Sequence, residues 1–192
     1  LQEFNAKKEL PKKSVIITFD DAYVNQLDFA YPLLKKYNFK ATFFVPIKYV
    51  DGFYSWRKNE EKIMSVAQLK SMDSSIVELG LHSYHHNNYS EMSILEIDAD
   101  IEACKSFIKE HQLPVQNILA YPYGKYPRKN PEKTTFFKCL NNQQMGYGLR
   151  IGNRGNSFPF KNNYEVKRID IKGEDTLTKF RLKLRFGKLK LF

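Results

Sequence analysis

At 192 residues and 42% hydrophobic content, the chain carries enough apolar material for one substantial core and fits a single domain spanning residues 1–192. No apolar run approaches the roughly 18 residues of a membrane helix, two widely spaced cysteines argue against a disulfide framework, and the net charge of +10 comes without any nucleic-acid-binding motif. Six of the positive charges lie in "KFRLKLRFGKLKLF", Lys179 to Phe192, a basic amphipathic tail. It reads either as a solvated face or as a peripheral contact with anionic membrane or polymer. The opening "LQEFNAKKEL" is neither a signal peptide nor a Met start, so the domain is expected to lack an N-terminal part.

In chain order, β-like and helical stretches alternate. The first strand is expected at Val15 to Phe19, in "VIITFDDAYVNQ", and ends on two adjacent carboxylates, Asp20 and Asp21. A helix follows in "QLDFAYPLLKKYN", with Leu27, Ala30, Tyr31 and Leu34 at helical spacing and Pro32 in its first turns. Ala41 to Val45 is a second strand, "SVAQLKSM" a short helix and Ile76 to Leu81 a third strand. The clearest helix is "SEMSILEIDADIEACKSFIKEH", where Ile94, Ile97, Ile101, Cys104 and Ile108 form one stripe behind a Ser93–Glu96 capping box. Asn117 to Tyr121 is a fourth strand, and Pro131 opens a helix in "PEKTTFFKCLNN". Gly148 to Ile151 and Glu165 to Ile171 close the count at about six strands. Such alternation marks βαβ units and a parallel sheet, open or closed into a barrel.

Ligands in such sheets sit at the carboxyl ends of the strands. Asp20 and Asp21 end the first strand, His82, His85 and His86 follow the third, and "YPYG", Tyr121 to Gly124, ends the fourth. If a helical turn starts at His82, that residue and His86 share a side. Asp21 then completes a two-histidine, one-carboxylate set with open positions for water and substrate. Asp20 stays free as a general base beside it. The competing reading of the doublet is a helix N-cap. In "AYPYG", Pro122 and Gly124 set a turn that offers the Tyr123 backbone N–H as an oxyanion donor.

"TFDD", "HSYHH" and "YPYG", in this order and with "KATFFVP" after the first helix, resemble the NodB-homology polysaccharide deacetylases, carbohydrate esterase family 4. The resemblance runs from about Val15 to Gly124, with looser support from "VKRIDI". It implies a distorted or incomplete (β/α) barrel and a divalent metal, Zn2+ or in some members Co2+ or Ni2+. It also implies hydrolytic removal of acetyl from N-acetylated, or O-acetylated, carbohydrate polymers or oligomers, in a cell-envelope or extracytoplasmic setting. By position Asp20 matches the catalytic base, Asp21, His82 and His86 the metal triad, Ser83 the supporting hydroxyl, and His85 a variable, non-ligating position. Pro122, Tyr123 and Trp56 are the candidate substrate contacts. Tyr54, Tyr84, Tyr89 and Tyr126 are further aromatics near strand-end loops, each more safely read as packing.

Two departures stand out. The Arg that usually precedes the third motif is replaced by Ala120, and no histidine follows His111 or precedes Asp20 to act as general acid. In the branch containing poly-N-acetylglucosamine-type deacetylases, which "AYPYG" resembles, that histidine lies upstream of the Asp-Asp motif. No second Trp is available to line an acetyl pocket, and Leu149 or Ile169 is expected in its place. The rival readings are a non-catalytic carbohydrate-binding relative without the acid, an Fe(II) facial-triad oxygenase, and a basic surface-binding module.

Overall fold

The computed structural model describes residues 11, 14–54 and 61–187. Six parallel strands form one sheet in chain order: β1 (Ile17–Asp20), β2 (Ala41–Val45), β3 (Val77–Leu81), β4 (Val115–Ala120), β5 (Tyr147–Ile151) and β6 (Val166–Arg168). A π-helical stretch, Gln26–Ala30, leads into α1 (Tyr31–Tyr37); α2 (Val66–Ser71), α3 (Ile94–His111) and α4 (Glu132–Asn142) then separate successive strands, and α5 (Leu177–Phe186) follows β6.

Every expected strand is present, β2 with the expected ends and the others with one or both ends shifted. β1 starts two residues later than its apolar run, and Val15 and Ile16 are exposed, because this is the sheet's first strand and no strand among the described residues hydrogen-bonds to its outer edge. β6 keeps only three residues of the expected seven, a short edge strand. The first helical stripe faces inward as expected, Leu34 buried and Leu27 and Tyr31 packed against the core, whereas Phe29, Leu33 and Tyr37 face outward.

β2 reads "ATFFV" without alternation because both of its faces are covered, and all five residues are buried. Phe43 joins the large core beneath the helices, with Ile97, Ile101 and Cys104 of α3 and Phe136 and Leu140 of α4. Phe44 points to the opposite, inner face, packing with Ile118, Ala120, Tyr147, Leu149 and Val166. Gly80 of β3 permits that inner packing: a Cβ there would lie 2.7 Å from the Phe44 ring. The capping box of α3 is formed as expected, Ser93 N–H donating to Glu96 at 2.7 Å and Glu96 N–H to Ser93 Oγ at 3.3 Å.

β1 and β6 do not hydrogen-bond as strands, yet Arg168 of β6 reaches Thr18 Oγ1 at 3.4 Å and the Asp20 carboxylate of β1. The sheet therefore curls until its two ends face each other across a seam bridged by side chains, the incomplete barrel expected from the sequence. The tail is less uniformly solvated than its composition suggests. Lys183 is buried, donates to the Asp170 carbonyl at 2.7 Å and pairs with Asp175, which also holds Lys179 at 2.6 Å. Residues 188–192 of the tail lie outside the described residues. Among the described residues no helix is long and apolar enough to cross a membrane.

Candidate functional site

The site lies at the carboxyl ends of β1, β3 and β4. Immediately after β1 the backbone takes two left-handed steps, Asp21 at φ 73° and Ala22 at φ 51°, conformations that cost a non-glycine residue energy and mark a constrained turn. The turn gives the two carboxylates different main partners, although both approach His82, whose Nε2 lies 3.7 Å from Asp20 Oδ2. Asp20 accepts from both arms of the Arg168 guanidinium, Nη1 at 2.5 Å and Nη2 at 2.8 Å. Asp21 is buried; its Oδ2 accepts from Tyr23 Oη at 2.6 Å and its Oδ1 lies 3.2 Å from His86 Nε2 and 3.6 Å from His82 Nε2. Neither carboxylate caps the following helix, whose Asn25 N-cap makes no side-chain capping bond and donates instead to Glu61 at 3.0 Å. The N-cap reading is therefore set aside.

The two histidines meet by a different route from the helical turn that their spacing suggests. "HSYHH" is an irregular loop with Ser83 at φ 62° and His86 at φ 57°, and it brings the imidazole centroids to 4.8 Å. A buried carboxylate from α3 holds this loop. Asp100 accepts from the Tyr84 N–H at 2.9 Å, the His85 N–H at 3.2 Å and Tyr89 Oη at 2.8 Å. His85 turns toward Asp100, its Nδ1 3.5 Å from the carboxylate, and away from the cluster, in keeping with its expected non-ligating position. The Ser83 hydroxyl is buried between the histidines with no hydrogen-bond partner among the described residues.

Asp21, His82 and His86 each offer a ligand atom, all within 4.8 Å of one another and all three residues buried. The donor chemistry fits a divalent cation. His82 Nδ1 donates to the Ala120 carbonyl at 2.7 Å, which leaves the Nε2 lone pair facing Asp21. Burial pushes the His82 imidazole below its ordinary pKa, against the pull of Asp20 and Asp21, favouring the neutral, ligating form. Asp21 Oδ1 is buried without a hydrogen-bond donor, an expensive arrangement that a cation would relieve. Imidazole and carboxylate together suit Zn2+ and its neighbours without selecting one.

Burial acts to raise the Asp20 carboxyl, and the charge of Arg168 overrides it, lowering the pKa to about 2. Arg168, like Asp100, is a residue that sequence reasoning missed. It sits in "VKRIDI", which carried the resemblance only loosely, and its role depends on β6 curling back to β1. Ala120, at the position where an Arg was expected, contributes its carbonyl to His82 instead.

The third motif forms a tight turn, Pro122–Gly124, with Tyr123 at φ 58° and its ring 4.9 Å from His86. Gly124 sits at φ 63°, where a Cβ would lie 2.8 Å from the Ile151 nitrogen. Of the other aromatics, Tyr54, Tyr89 and Tyr126 are buried, in line with the packing reading. Tyr123 is exposed and Tyr84 half-buried; Trp56 lies outside the described residues. Leu149 is buried in the inner cluster beside Ala120, and Ile169 is half-buried after β6.

Residues 7–137 match the family model described as polysaccharide deacetylase. Over 174 residues the chain is 29% identical to the poly-beta-1,6-N-acetyl-D-glucosamine N-deacetylase of Staphylococcus aureus, covering 86% of this chain and 57% of that protein. It thus spans little more than half the length of that relative. Among solved structures, the Streptococcus pyogenes deacetylase PplD in complex with acetate superposes with a TM-score of 0.73 at 21% identity, over 95% of this chain and 76% of that one. IcaB from Ammonifex degensii gives a TM-score of 0.73 at 24% identity, over 94% and 76%. Both likenesses confirm the fold, a curled sheet of six parallel strands.

Proposed function

The chain belongs to the polysaccharide deacetylase family, and from that premise we propose that it hydrolyses acetyl groups from N-acetylated glucosamine polymers with the help of a divalent metal, Zn2+ by preference. The observation that carries this reading is the division of the Asp20–Asp21 doublet, one carboxylate on Arg168 and the other on two imidazoles.

Asp21, His82 and His86 would hold the metal, which would supply a Lewis acid for the acetyl carbonyl and lower the pKa of a nearby water. Asp20, kept ionised and aimed by Arg168, takes the proton of the attacking water as a C–O bond forms. The backbone N–H of Tyr123, in its left-handed turn beside His86, stabilises the oxyanion. Collapse breaks the C–N bond, and the leaving nitrogen needs a proton. The chain has four histidines: two form the cluster, His85 faces Asp100 and His111 stacks on Phe107 at the end of α3. Among the described residues, protonated Asp20 is a carboxyl beside the cluster that can return the proton to the leaving nitrogen, releasing acetate and a free amine.

A second reading, a non-catalytic carbohydrate-binding relative, draws on the lack of a third imidazole at the site among the described residues. The test is acetate release from β-1,6-linked N-acetylglucosamine oligomers by the metal-loaded chain, before and after chelation. Release that stops on chelation and returns with Zn2+ supports the deacetylase. Stoichiometric metal and oligomer binding without release supports the binding protein.

A further inference from the structure

A cleft of about 510 Å³ opens between Ser90 on one side and Lys125, Arg128 and Lys129 on the other. Its walls continue the two loops that build the site: Ser90 lies four residues beyond His86, and Lys125 two beyond Tyr123, whose rings touch at 4.9 Å. Both walls are fixed. Asn88 accepts from the Ser90 N–H at 3.0 Å and its hydroxyl at 2.7 Å, and the Lys125 N–H donates to the Pro122 carbonyl at 3.0 Å. Arg128 rests 5.4 Å over the ring of buried Tyr126 and donates to the Gly124 carbonyl at 3.4 Å.

The cleft's charge is uncompensated. Lys125, Arg128 and Lys129 are exposed and form no ion pair among the described residues, while the lining contains a single acid, Glu132. The nearby Glu165 is already engaged, by Lys133 at 2.9 Å and Tyr126 Oη at 2.6 Å. Three cations within five residues repel one another unless a counter-charge joins them, and a concave wall strengthens their field over the opening. The Arg128 guanidinium, placed over the Tyr126 ring and tied by one nitrogen to the Gly124 carbonyl, keeps further N–H donors for an oxyanion.

We propose that this cleft is a subsite for an anionic substituent, a phosphate or a carboxylate, on the acetylated glycan whose acetyl group enters the Asp21–His82–His86 site. The proposal deepens the reading of the function and rests on it for the direction in which the glycan runs. It makes the substrate class a charged N-acetylated glycan.

The test is an NMR titration of the full chain with N-acetylglucosamine, N-acetylglucosamine 6-phosphate, N-acetylmuramic acid and inorganic phosphate, at low and high salt. At least one charged sugar should bind ten or more times tighter than the neutral one, with the advantage shrinking as salt rises; the charged sugar that gains more identifies the substituent. The triple variant Lys125→Gln, Arg128→Gln, Lys129→Gln should abolish the advantage, and Glu132→Gln, a change too mild to unfold the chain, should enlarge it two- to threefold. Equal affinity for charged and neutral sugars, an advantage that survives the triple variant or is unmoved by Glu132→Gln, or inorganic phosphate binding as tightly as the sugar phosphate would each overturn the proposal. The titration reads binding without turnover, so a chain that prefers charged sugars but releases no acetate sinks the deacetylase reading alone.

Discussion

Asp20 and Asp21 are chemically identical neighbours, and the molecule treats them as opposites. Asp20 belongs to the seam between β1 and β6, half-buried, where a guanidinium holds both of its oxygens. Asp21 belongs to the buried pocket at the ends of β1 and β3, where two imidazoles and a phenol surround it. Two like charges side by side are tolerable because each has its own positive or proton-donating partner. What separates them is backbone: the left-handed turn at Asp21 and Ala22 diverts one side chain to each region. The seam holds one carboxylate against a guanidinium, and the pocket gathers three side chains that could ligate a metal.

The sharpest way to break that comparison is to neutralise the seam side. Asp20→Asn should leave metal content intact and lower acetate release by about 10²- to 10⁴-fold, the usual range for losing a general acid–base group. Next in size is the scaffold beneath both regions. Ile101→Ala, which empties a fully buried position in the core under α3, should cost about 2–5 kcal/mol in urea unfolding.

On the pocket side, Asp100 never touches a ligand atom but holds the loop that carries His82 and His86. Asp100→Asn should weaken Zn2+ binding by roughly 10- to 100-fold, as loss of supporting partners does, measured by calorimetric titration. A circular dichroism spectrum matching the parent would separate this from unfolding.

The smallest effect reads the seam's electrostatics. Because the folded pKa of Asp20 is lowered to about 2, below its unfolded value, the group contributes stability that is present above about pH 4 and lost as pH falls through 2. Arg168→Gln removes the main lowering influence and leaves burial opposing ionisation. Asp20's pKa should therefore rise, the acid limb of the kcat/KM profile should move to higher pH, and the stabilisation should fade at a higher pH than in the parent. An unmoved acid limb would show that Arg168 does not set the charge of Asp20.

The pocket was far more legible in the sequence than the seam. Asp21, His82 and His86 sit at ordered strand ends, and residues that follow consecutive parallel strands must converge on one edge. The histidine spacing was right for the wrong reason, since a left-handed loop held by Asp100, and not a helical turn, pairs them. Arg168 was not legible because its contact spans 148 positions and depends on the curl of the whole sheet, which no local pattern encodes. Asp100 was hidden for a related reason: beside a stripe of Ile97, Ile101 and Cys104 it reads as an ordinary polar position, and its burial follows only from where the His82 loop lands. The strand ends at Val15 and beyond Arg168 were misjudged because edge strands stop where their pairing partners stop, not where β-favouring residues do.

The most direct test of the divided doublet is to measure bound zinc and acetate release side by side for the parent, Asp20→Asn and Asp21→Asn. The account predicts about one zinc per chain in the parent and in Asp20→Asn, with release lost from the latter, and loss of both zinc and release in Asp21→Asn. Full acetate release by Asp20→Asn, or full zinc occupancy in Asp21→Asn, would contradict it.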